Sequence, residues 1–238
     1  MTENLGIVGI DTAMILAAGR GARLRPLTDR LPKPLVHLAG YTLIEHHLRR
    51  LTAIGMRRVV INLHHLGGQI RSHIEALDLG SLEIRWSEET HLLETAGGIE
   101  AALPLLGDAP FMVVNGDVFS DFDLARLRSG TDGALAHLVM VPSPAWASHG
   151  DFDLTPNAAG GAARAPLRIG SDQRLTYAGI GLFTPALFAT ATPGVMPLRP
   201  LLDSAIAAGR ISGEVHAGIW EDIGTLQRLE AARLRFGP

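Results

Sequence analysis

Short apolar runs alternate along this sequence with segments in which apolar residues recur every three or four positions. The runs TAMILAA (12–18), RRVVINL (57–63) and SLEIRW (81–86) have the length and composition of buried strands, and the segments between them have helical periodicity. A β-α-β-α-β order is typical of a mostly parallel sheet with right-handed crossovers and helices on both faces. The sequence therefore predicts an α/β fold.

The pattern changes in the second half of the chain. GGIEAALPLL (97–106) has helical periodicity, and FMVVNGD (111–117) begins as an apolar run that predicts a central parallel strand. Beyond Asp123, longer strands are predicted at ALAHLVMV (134–141) and LTYAGIGLF (175–183), separated by a stretch rich in glycine, proline and alanine. We interpret this half as an extension of the sheet, which favours one domain with a second lobe over two independent domains.

The composition excludes several classes of protein. With 47% hydrophobic and 19% charged residues the chain can bury a core, and a net charge of -3 gives no general attraction for nucleic acid or for an anionic membrane. The sequence has no cysteine, which excludes disulfides and thiolate metal sites, and its patterns predict neither a signal peptide nor a membrane-spanning segment. These features predict a soluble, cytoplasmic protein that binds neither nucleic acid nor membrane, and no protein partner is evident.

One loop concentrates positive charge and glycine. We call residues 16–35, LAAGRGARLRPLTDRLPKPL, the cationic loop. Its two glycines allow backbone N–H groups to approach a phosphate, although charged, glycine-rich surface loops are also common without such a role. Leu24 stands where a dinucleotide-binding motif needs glycine, and no Gly-Lys-Ser/Thr of a P-loop occurs. The glycines are Gly19 and Gly21, and the cations around them are Arg20, Arg23, Arg25, Arg30 and Lys33.

Lys33 is the single lysine among the 21 basic residues, and it lies between two prolines in the cationic loop. A compact ammonium on a flexible stem can follow a phosphate oxygen whose charge changes during a reaction, whereas a planar guanidinium adapts less well. Chance placement of one lysine is the alternative. We expect Lys33 on an exposed loop, with little effect on stability.

Two aspartates are candidate metal ligands. Asp117 follows an apolar strand, and Asp222 follows the apolar pair Ile219 and Trp220 with one residue between. Mg²⁺ is usually held by one or two carboxylates together with substrate phosphates. Taken alone, Asp222 is more readily explained as a helix cap or turn residue, and it is the pairing with Asp117 that favours metal binding. The ten histidines show no spacing that demands a metal, which favours structural or surface roles.

Three of these segments resemble the motifs of the sugar-1-phosphate nucleotidyltransferases. The cationic loop is similar to the family pattern G-x-G-x-R-L-x-P-L-T followed by x-K-P, and NGD (115–117) and WEDIGT (220–225) are similar to its two metal-binding segments. The similarity extends from about Ala13 to the C-terminal helix. Within the family, LETAGGI (93–99) and GDFDL (150–154) are most similar to the enzymes that join UTP to N-acetylmuramate-1-phosphate in cell-wall sugar recycling.

The resemblance implies a Rossmann-like, three-layer α/β fold with a mostly parallel central sheet and a smaller sugar-binding lobe. It divides the chain into an N-terminal extension (1–12) and a nucleotidyltransferase domain (13–238). The nucleotide-binding part of that domain is expected at about 13–125, and the sugar-binding lobe and C-terminal helix at about 126–238.

The resemblance also implies roles for individual residues. Arg23 would hold the departing pyrophosphate, Lys33 would contact the phosphates at the reaction centre, and Asp117 and Asp222 would bind Mg²⁺. The residues implied around the nucleotide are Leu16, Ala17, Ala18, Gly19, Gly21, Arg25, Glu94, Thr95 and Gly97. Those implied at the sugar phosphate are Asn115 and Asp151.

Because the sequence departs from the family pattern at two places, the resemblance constrains the identity of the sugar substrate least. Ala96 replaces one glycine of a Gly-Gly-Gly found in close uridylyltransferases, and the Glu-Lys-Pro sugar site of thymidylyltransferases is absent. Mannose-1-phosphate guanylyltransferases, which make GDP-mannose, share much of the pattern and are the first alternative. A non-catalytic regulator that binds a sugar nucleotide is the second, because a fold can persist without its chemistry. The joint presence of Arg23, Lys33, Asp117 and Asp222 argues against it.

Overall fold

A nine-stranded sheet runs through the centre of the molecule. The computed structural model describes residues 9–147, 149–155, 164–170 and 174–238. The sheet has the order β5-β4-β1-β6-β11-β8-β12-β10-β9, and two small sheets pair β2 with β3 and β7 with β13. The strands are β1 Thr12–Leu16, β2 His37–Leu38, β3 Tyr41–Thr42, β4 Arg58–Leu63, β5 Glu83–Glu88, β6 Phe111–Asn115, β7 Val118–Ser120, β8 Ala136–Pro142, β9 Asp153–Leu154, β10 Ala165–Arg168, β11 Leu175–Phe183, β12 Ile211–Val215 and β13 Trp220–Asp222.

Most strands of the central sheet share one direction, so the prediction of a mostly parallel sheet is confirmed. β5, β4, β1 and β6 are parallel neighbours, and β12 is parallel to β8. β11 lies antiparallel between β6 and β8, and β10 lies antiparallel between β12 and β9. The strand predicted as central and parallel, β6, is therefore parallel to one neighbour only.

Helices cover both faces of the sheet and make the fold three-layered. On one face, Ile44 and Leu48 of the first helix pack with Ala13 and Ile15 of β1. On the other face, Ile99 packs with Met14. Side chains that alternate along β1 thus enter opposite cores, as period-2 geometry requires. The helices are α1 Leu43–Ala53, α2 Gly67–Glu75, α3 Glu94–Leu106, α4 Leu198–Ala207 and α5 Leu226–Phe236.

The last helix joins the C-terminal end of the described chain to the region around the cationic loop. Leu229 of α5 and Ile223 pack with Leu24 of that loop in a third apolar cluster. The backbone N–H groups of Ala39 and Gly40 donate to the carbonyls of Gly237 and Pro238 over 3.0 and 2.6 Å. Residues far apart in sequence are therefore neighbours at this end of the sheet.

Parts of two sequence predictions fall on residues that are not described. Residues 1–8 of the predicted N-terminal extension lie outside the described residues, as do positions 148 and 156–163 of the glycine-, proline- and alanine-rich stretch. The division into a nucleotide-binding part and a sugar-binding lobe near residue 125 stays a prediction. None of the helices in the described ranges combines the length and apolarity needed to span a bilayer.

Candidate active site

A cavity of about 390 Å³ opens at the carboxyl ends of the neighbouring strands β5, β4, β1 and β6. This is the edge at which open α/β sheets bind their ligands. Its lining comes from five separated parts of the chain: the cationic loop, the end of β4, the segment after β5, the end of β6 with the residues that follow it, and Gly224 before the last helix. The lining residues are Leu16, Ala17, Ala18, Gly19, Gly21, Ala22, Arg23, Lys33, Pro34, Asn62, Glu89, Leu92, Glu94, Thr95, Asn115, Gly116, Asp117 and Gly224.

The cationic loop is held in one conformation around Gly21. Gly21 has φ 61°, in the left-handed region that favours glycine, and a Cβ there would lie 2.8 Å from Cγ2 of Thr28. The Thr28 hydroxyl donates to the Gly21 carbonyl over 2.8 Å, and a ring nitrogen of His65 lies 2.9 Å from the Thr28 carbonyl. The loop therefore curves tightly and presents its backbone to the cavity.

Lys33 contacts Asp117 across the cavity wall. Its Nζ lies 2.5 Å from Oδ2 of Asp117, and only 11% of the Lys33 side chain is exposed. The expectation of an exposed lysine is therefore wrong. A short 3₁₀ turn, Lys33–Leu35, draws the flanking prolines and the lysine stem into the core beneath the loop.

Asp222 is brought beside Asp117 by the pairing of two short strands. In the β13–β7 ladder Asp222 lies opposite Val118, and the backbone N–H of Ile223 donates to the Asp117 carbonyl over 3.0 Å. Burial raises the pKa of the Asp222 carboxyl above its ordinary value, and the negative charge of Asp117 adds to this rise; nearby cations, Lys33 first, oppose it. The two carboxylates thus interact directly through their charges.

The cap interpretation of Asp222 is wrong. Asp222 ends β13, and the N-cap of α5 is Thr225, whose hydroxyl accepts from the backbone N–H of Arg228 over 3.2 Å. α5 begins at Leu226, directly after this cap, so the Asp222 carboxylate is not needed to cap the helix.

The pair of carboxylates fits one mode of magnesium binding. No group of three or more His, Asp or Glu side chains in the described part of the chain is arranged to hold a metal. Mg²⁺ needs no such group, because it commonly takes one or two carboxylates and completes its octahedron with substrate phosphates and water. Asp117 and Asp222, beside a glycine-rich cationic loop, are a donor set of that kind.

Four residues expected at the site lie outside the cavity lining. Asp222 is one of them, although it neighbours Asp117. Arg25 is exposed and pairs with Asp29 at 3.1 Å. Gly97 packs against another segment, since a Cβ there would lie 2.2 Å from the Gly194 carbonyl oxygen. Asp151 accepts from the backbone N–H of Tyr177 over 2.9 Å, beside β11.

Asn115 lies on the side of the cavity that faces β11. It ends β6, and its side chain occupies space left by Gly179, where a Cβ would lie 2.6 Å from Nδ2 of Asn115. Gly179 has φ 72°, in the left-handed region that favours glycine. Glycine at this position therefore allows both this backbone conformation and the close approach of the Asn115 side chain. Asn115 thus lies between the cavity and the strand that contacts Asp151.

Asn62 and Glu89 line the cavity, although the sequence analysis did not identify them as site residues. The Asn62 side chain accepts from the backbone N–H of Ala17 over 2.7 Å and donates to Glu89 over 2.6 Å. Glu89 also accepts from the backbone N–H of Leu93 over 3.0 Å. The pair fixes the start of the cationic loop relative to the segment before α3. Asn62 lies near the end of one predicted strand and Glu89 three residues beyond another, so the rule that drew attention to Asp117 could have found them.

Comparison with known proteins identifies the family of this chain. Residues 12–141 match the nucleotidyl transferase family. The chain belongs to the nucleotidyl transferase family. Over 231 residues it is 42% identical to the N-acetylmuramate alpha-1-phosphate uridylyltransferase of Neisseria meningitidis, covering 94% of this chain and 98% of that protein. The enzyme of the same description from Caulobacter vibrioides is 34% identical over 94% of this chain and 96% of its own.

More distant comparisons cover less of the chain or share less sequence. A mannose-1-phosphate guanylyltransferase of Mycobacterium tuberculosis is 35% identical over 56% of this chain and 38% of its own. Among solved structures, a UDP-glucose pyrophosphorylase from Acinetobacter baumanii superimposes with a TM-score of 0.80, covering 96% of this chain and 93% of that one at 16% identity. That similarity confirms the predicted nucleotidyltransferase fold.

Proposed function

We propose that this protein transfers the uridylyl group of UTP to N-acetylmuramate-1-phosphate, giving the UDP-sugar and pyrophosphate. The observation that carries the proposal is the contact between Lys33 and Asp117 in the wall of the cavity that the cationic loop also lines. The similarity over nearly the whole length of two uridylyltransferases supports the choice of base and sugar. The proposal includes the predicted context, cell-wall sugar recycling in the cytoplasm.

The reaction itself explains why the site is rich in cations. A phosphate oxygen of the sugar-1-phosphate attacks the α-phosphorus of UTP, and a new P–O bond forms. The bond from the α-phosphorus to the bridging oxygen breaks, and pyrophosphate leaves with the electron pair. The attacking oxygen is already ionised at neutral pH, so no general base is needed. Positioning and charge neutralisation supply the catalysis.

The residues divide this work by position. The backbone of Ala17 to Gly21 lines the nucleotide side of the cavity, and Arg23 extends from the same loop toward Gly224. We assign the leaving pyrophosphate to Arg23 and the α-phosphate to Lys33. Asp117 and Asp222 would hold Mg²⁺, which when bound neutralises phosphate charge and polarises the reacting phosphorus.

The remaining side chains suit the two ends of the substrates. Glu94 and Thr95 line the cavity at the start of α3, where we place the base and ribose. Asn115 and Asp151 lie toward β11, where we place the sugar phosphate. Arg25 and Gly97 act through their neighbours in this scheme, since neither lines the cavity.

A pyrophosphate-release assay tests the proposal. Each of UTP, GTP, CTP, ATP and dTTP is paired with N-acetylmuramate-1-phosphate, N-acetylglucosamine-1-phosphate, mannose-1-phosphate and glucose-1-phosphate in the presence of Mg²⁺. We expect the highest kcat/KM for UTP with N-acetylmuramate-1-phosphate and no turnover after chelation of the metal. A Lys33→Met protein purified in parallel controls for contaminating enzymes.

Two results would replace the proposal with one of the alternatives. Preference for GTP with mannose-1-phosphate would assign a guanylyltransferase. Binding of a sugar nucleotide without pyrophosphate release from any pair would assign a non-catalytic regulator.

A further inference from the structure

Arg228 fixes the side chain of Asp222 from behind the candidate site. It is the third residue of α5, and its Nη1 lies 2.6 Å from Oδ2 of Asp222 and 3.5 Å from the Asp222 carbonyl oxygen. Only about a fifth of each side chain is exposed. One guanidinium therefore contacts both the main chain and the carboxylate of the same residue, which restricts rotation of that carboxylate.

Trp146 covers the Arg228 guanidinium in turn. The Arg228 Cζ lies 3.6 Å from the centre of the Trp146 ring, and the rings of Trp146 and Trp220 stack with their centroids 6.5 Å apart. Trp220 is itself anchored, because its Nε1 donates to the Ala178 carbonyl over 2.9 Å. Trp146 is nevertheless 51% exposed. The ring thus rests on the surface through its contacts with Arg228 and Trp220.

These contacts leave one oxygen of Asp222 available. Arg228 takes Oδ2, and among the described residues no hydrogen bond reaches Oδ1. Carboxylates that bind metals are commonly held by a hydrogen bond to their other oxygen, and loss of such a partner typically weakens metal binding about 10- to 100-fold. The free oxygen lies on the residue whose charge interacts with Asp117 and Lys33.

We propose that Arg228 is a positioning residue for the metal centre, that it orients Asp222 by binding Oδ2, and that Trp146 holds it in place. The proposal rests on the proposed function only in that it takes Asp222 as a metal ligand. The competing explanation is that Arg228 merely ties α5 to β13. That role predicts a change in stability without a specific change in metal binding.

Direct metal binding separates the two explanations. The probe is Mn²⁺ alone, titrated into the full chain and followed by the loss of the free-ion EPR signal. We expect Arg228→Met to raise the Mn²⁺ Kd about 10- to 100-fold. Arg228→Lys keeps the charge but not the two contacts, so we expect an intermediate Kd.

Arg235→Met is the matched control. Arg235 lies in the same helix and pairs with Glu221, the neighbour of Asp222, at 3.0 Å. It therefore reports on the loss of one arginine–carboxylate contact between α5 and β13 without touching Asp222. We expect its Mn²⁺ Kd to stay within about twofold of wild type, as for other surface pairs.

The tryptophan is tested in the same assay. Loss of a cation–π contact at a partly exposed site corresponds to an effect of about 2- to 5-fold, so Trp146→Ala should raise the Mn²⁺ Kd by that factor. Trp146→Phe should give a smaller effect, because phenylalanine keeps an aromatic face. Circular dichroism melts accompany every variant. If Arg228→Met does not fold, the Mn²⁺ Kd values of Arg228→Lys and Trp146→Ala test the positioning role in its place.

Three results would overturn the proposal: no Mn²⁺ binding by wild type, an unchanged Kd in the decisive variant, or equal losses in Arg228→Met and Arg235→Met. Failure of the proposed function looks different. In that case the substrate panel is negative while Mn²⁺ binding still depends on Arg228. A positive panel with an unchanged Mn²⁺ Kd rejects the positioning role alone.

Discussion

Lys33 combines two properties that rarely meet in one side chain: it is largely buried, and it carries the only ammonium among the side chains of the chain. Its partner Asp117 is 30% exposed, so the pair lies at the boundary between core and cavity. An ammonium in that position can exchange a carboxylate oxygen for a phosphate oxygen by a small movement of its stem. The buried position beside Asp117 thus gives a physical reason for a lysine at position 33, which the sequence alone did not give.

Replacement of Lys33 tests this role. In Lys33→Arg the charge is kept but the donors are displaced, and displacements of this kind can cost about 100-fold in rate. Lys33→Met should reduce turnover at least as much, and it should cost about 1–3 kcal/mol of stability, because Asp117 loses its partner. The measurements are steady-state turnover at saturating substrates, well below the melting temperature, and a denaturant titration.

Arg30→Lys serves as the matched control for Lys33. It changes a cation of the same loop that is exposed and outside the cavity lining, so turnover should stay near wild type. Wild-type turnover in Lys33→Arg would remove Lys33 from the catalytic residues and leave it a structural role.

At the scale of elements, α1 buries a histidine together with its apolar stripe. The helix begins with a capping box between Thr42 and Glu45, and Leu48 and Leu51 on its apolar face are fully buried. His47 lies in the same buried face. Burial, together with the positive charges of Arg50 and His46, lowers the pKa of His47 to about 3. The imidazole is therefore neutral in the folded protein at neutral pH.

This histidine predicts a pH dependence of stability. Because its folded pKa lies below its unfolded value of about 6.5, its contribution is complete above that pH and is lost progressively as pH falls toward 3. Between pH 6.5 and 5 the loss is about 2 kcal/mol, or about 4–8 °C in Tm. His47→Gln cannot be protonated, so its Tm should fall less over this range.

Melting curves from pH 7 to pH 5 check the prediction, above the range where most carboxylates titrate. His91→Gln is the control, because His91 is exposed. Parallel Tm profiles for wild type and His47→Gln would contradict the sign and size of the effect.

The elements that could be predicted from sequence are those with a strong pattern. The apolar runs at β1, β4 and β6 were found, with ends misplaced by one or two residues. β2, β3, β7 and β13 were not, because strands of two or three residues are too short to show periodicity. Yet β13 and β7 are the strands that place Asp222 beside Asp117.

The same limit applies to the site. Residues within one contiguous motif, such as Gly21, Arg23 and Lys33, could be predicted to lie together because their spacing is local, and they line the same cavity. The contacts of Asn62 with Ala17 and of Gly97 with Gly194 join residues 45 and 97 positions apart, and only the packed structure brings them together. The burial of Lys33 was missed for that reason, since loop composition predicts exposure.

At the scale of the whole molecule, a ligand that bridges the parts of the site should stabilise the fold. The cavity is lined by residues from the cationic loop, from the ends of β4 and β6, from the segment after β5, and by Gly224. A ligand that binds only the folded state at about 100 times its Kd adds about 2.7 kcal/mol, which for a chain of this size raises Tm by about 5–10 °C.

Thermal shift measurements with UTP and Mg²⁺ test that expectation. GTP at the same concentration should give a smaller shift, and inorganic phosphate should give little. Equal shifts with UTP and inorganic phosphate would show that only a local anion site is occupied, and the absence of any shift with UTP would argue against the nucleotide site.

Because Asp222 lies beside the region after β6, the candidate metal site can form only late in the synthesis of the chain. A ribosome delivers the chain from its N-terminal end at about 5–20 residues per second, so Asp222 follows Asp117 out of the ribosome by about 5–20 s. During that interval the nascent chain carries Lys33 and Asp117 but neither Asp222 nor Arg228. A chain that ends before Asp222 contains only one of the two proposed metal ligands. Under the proposal, the site is complete only after α5 has packed against the rest of the fold.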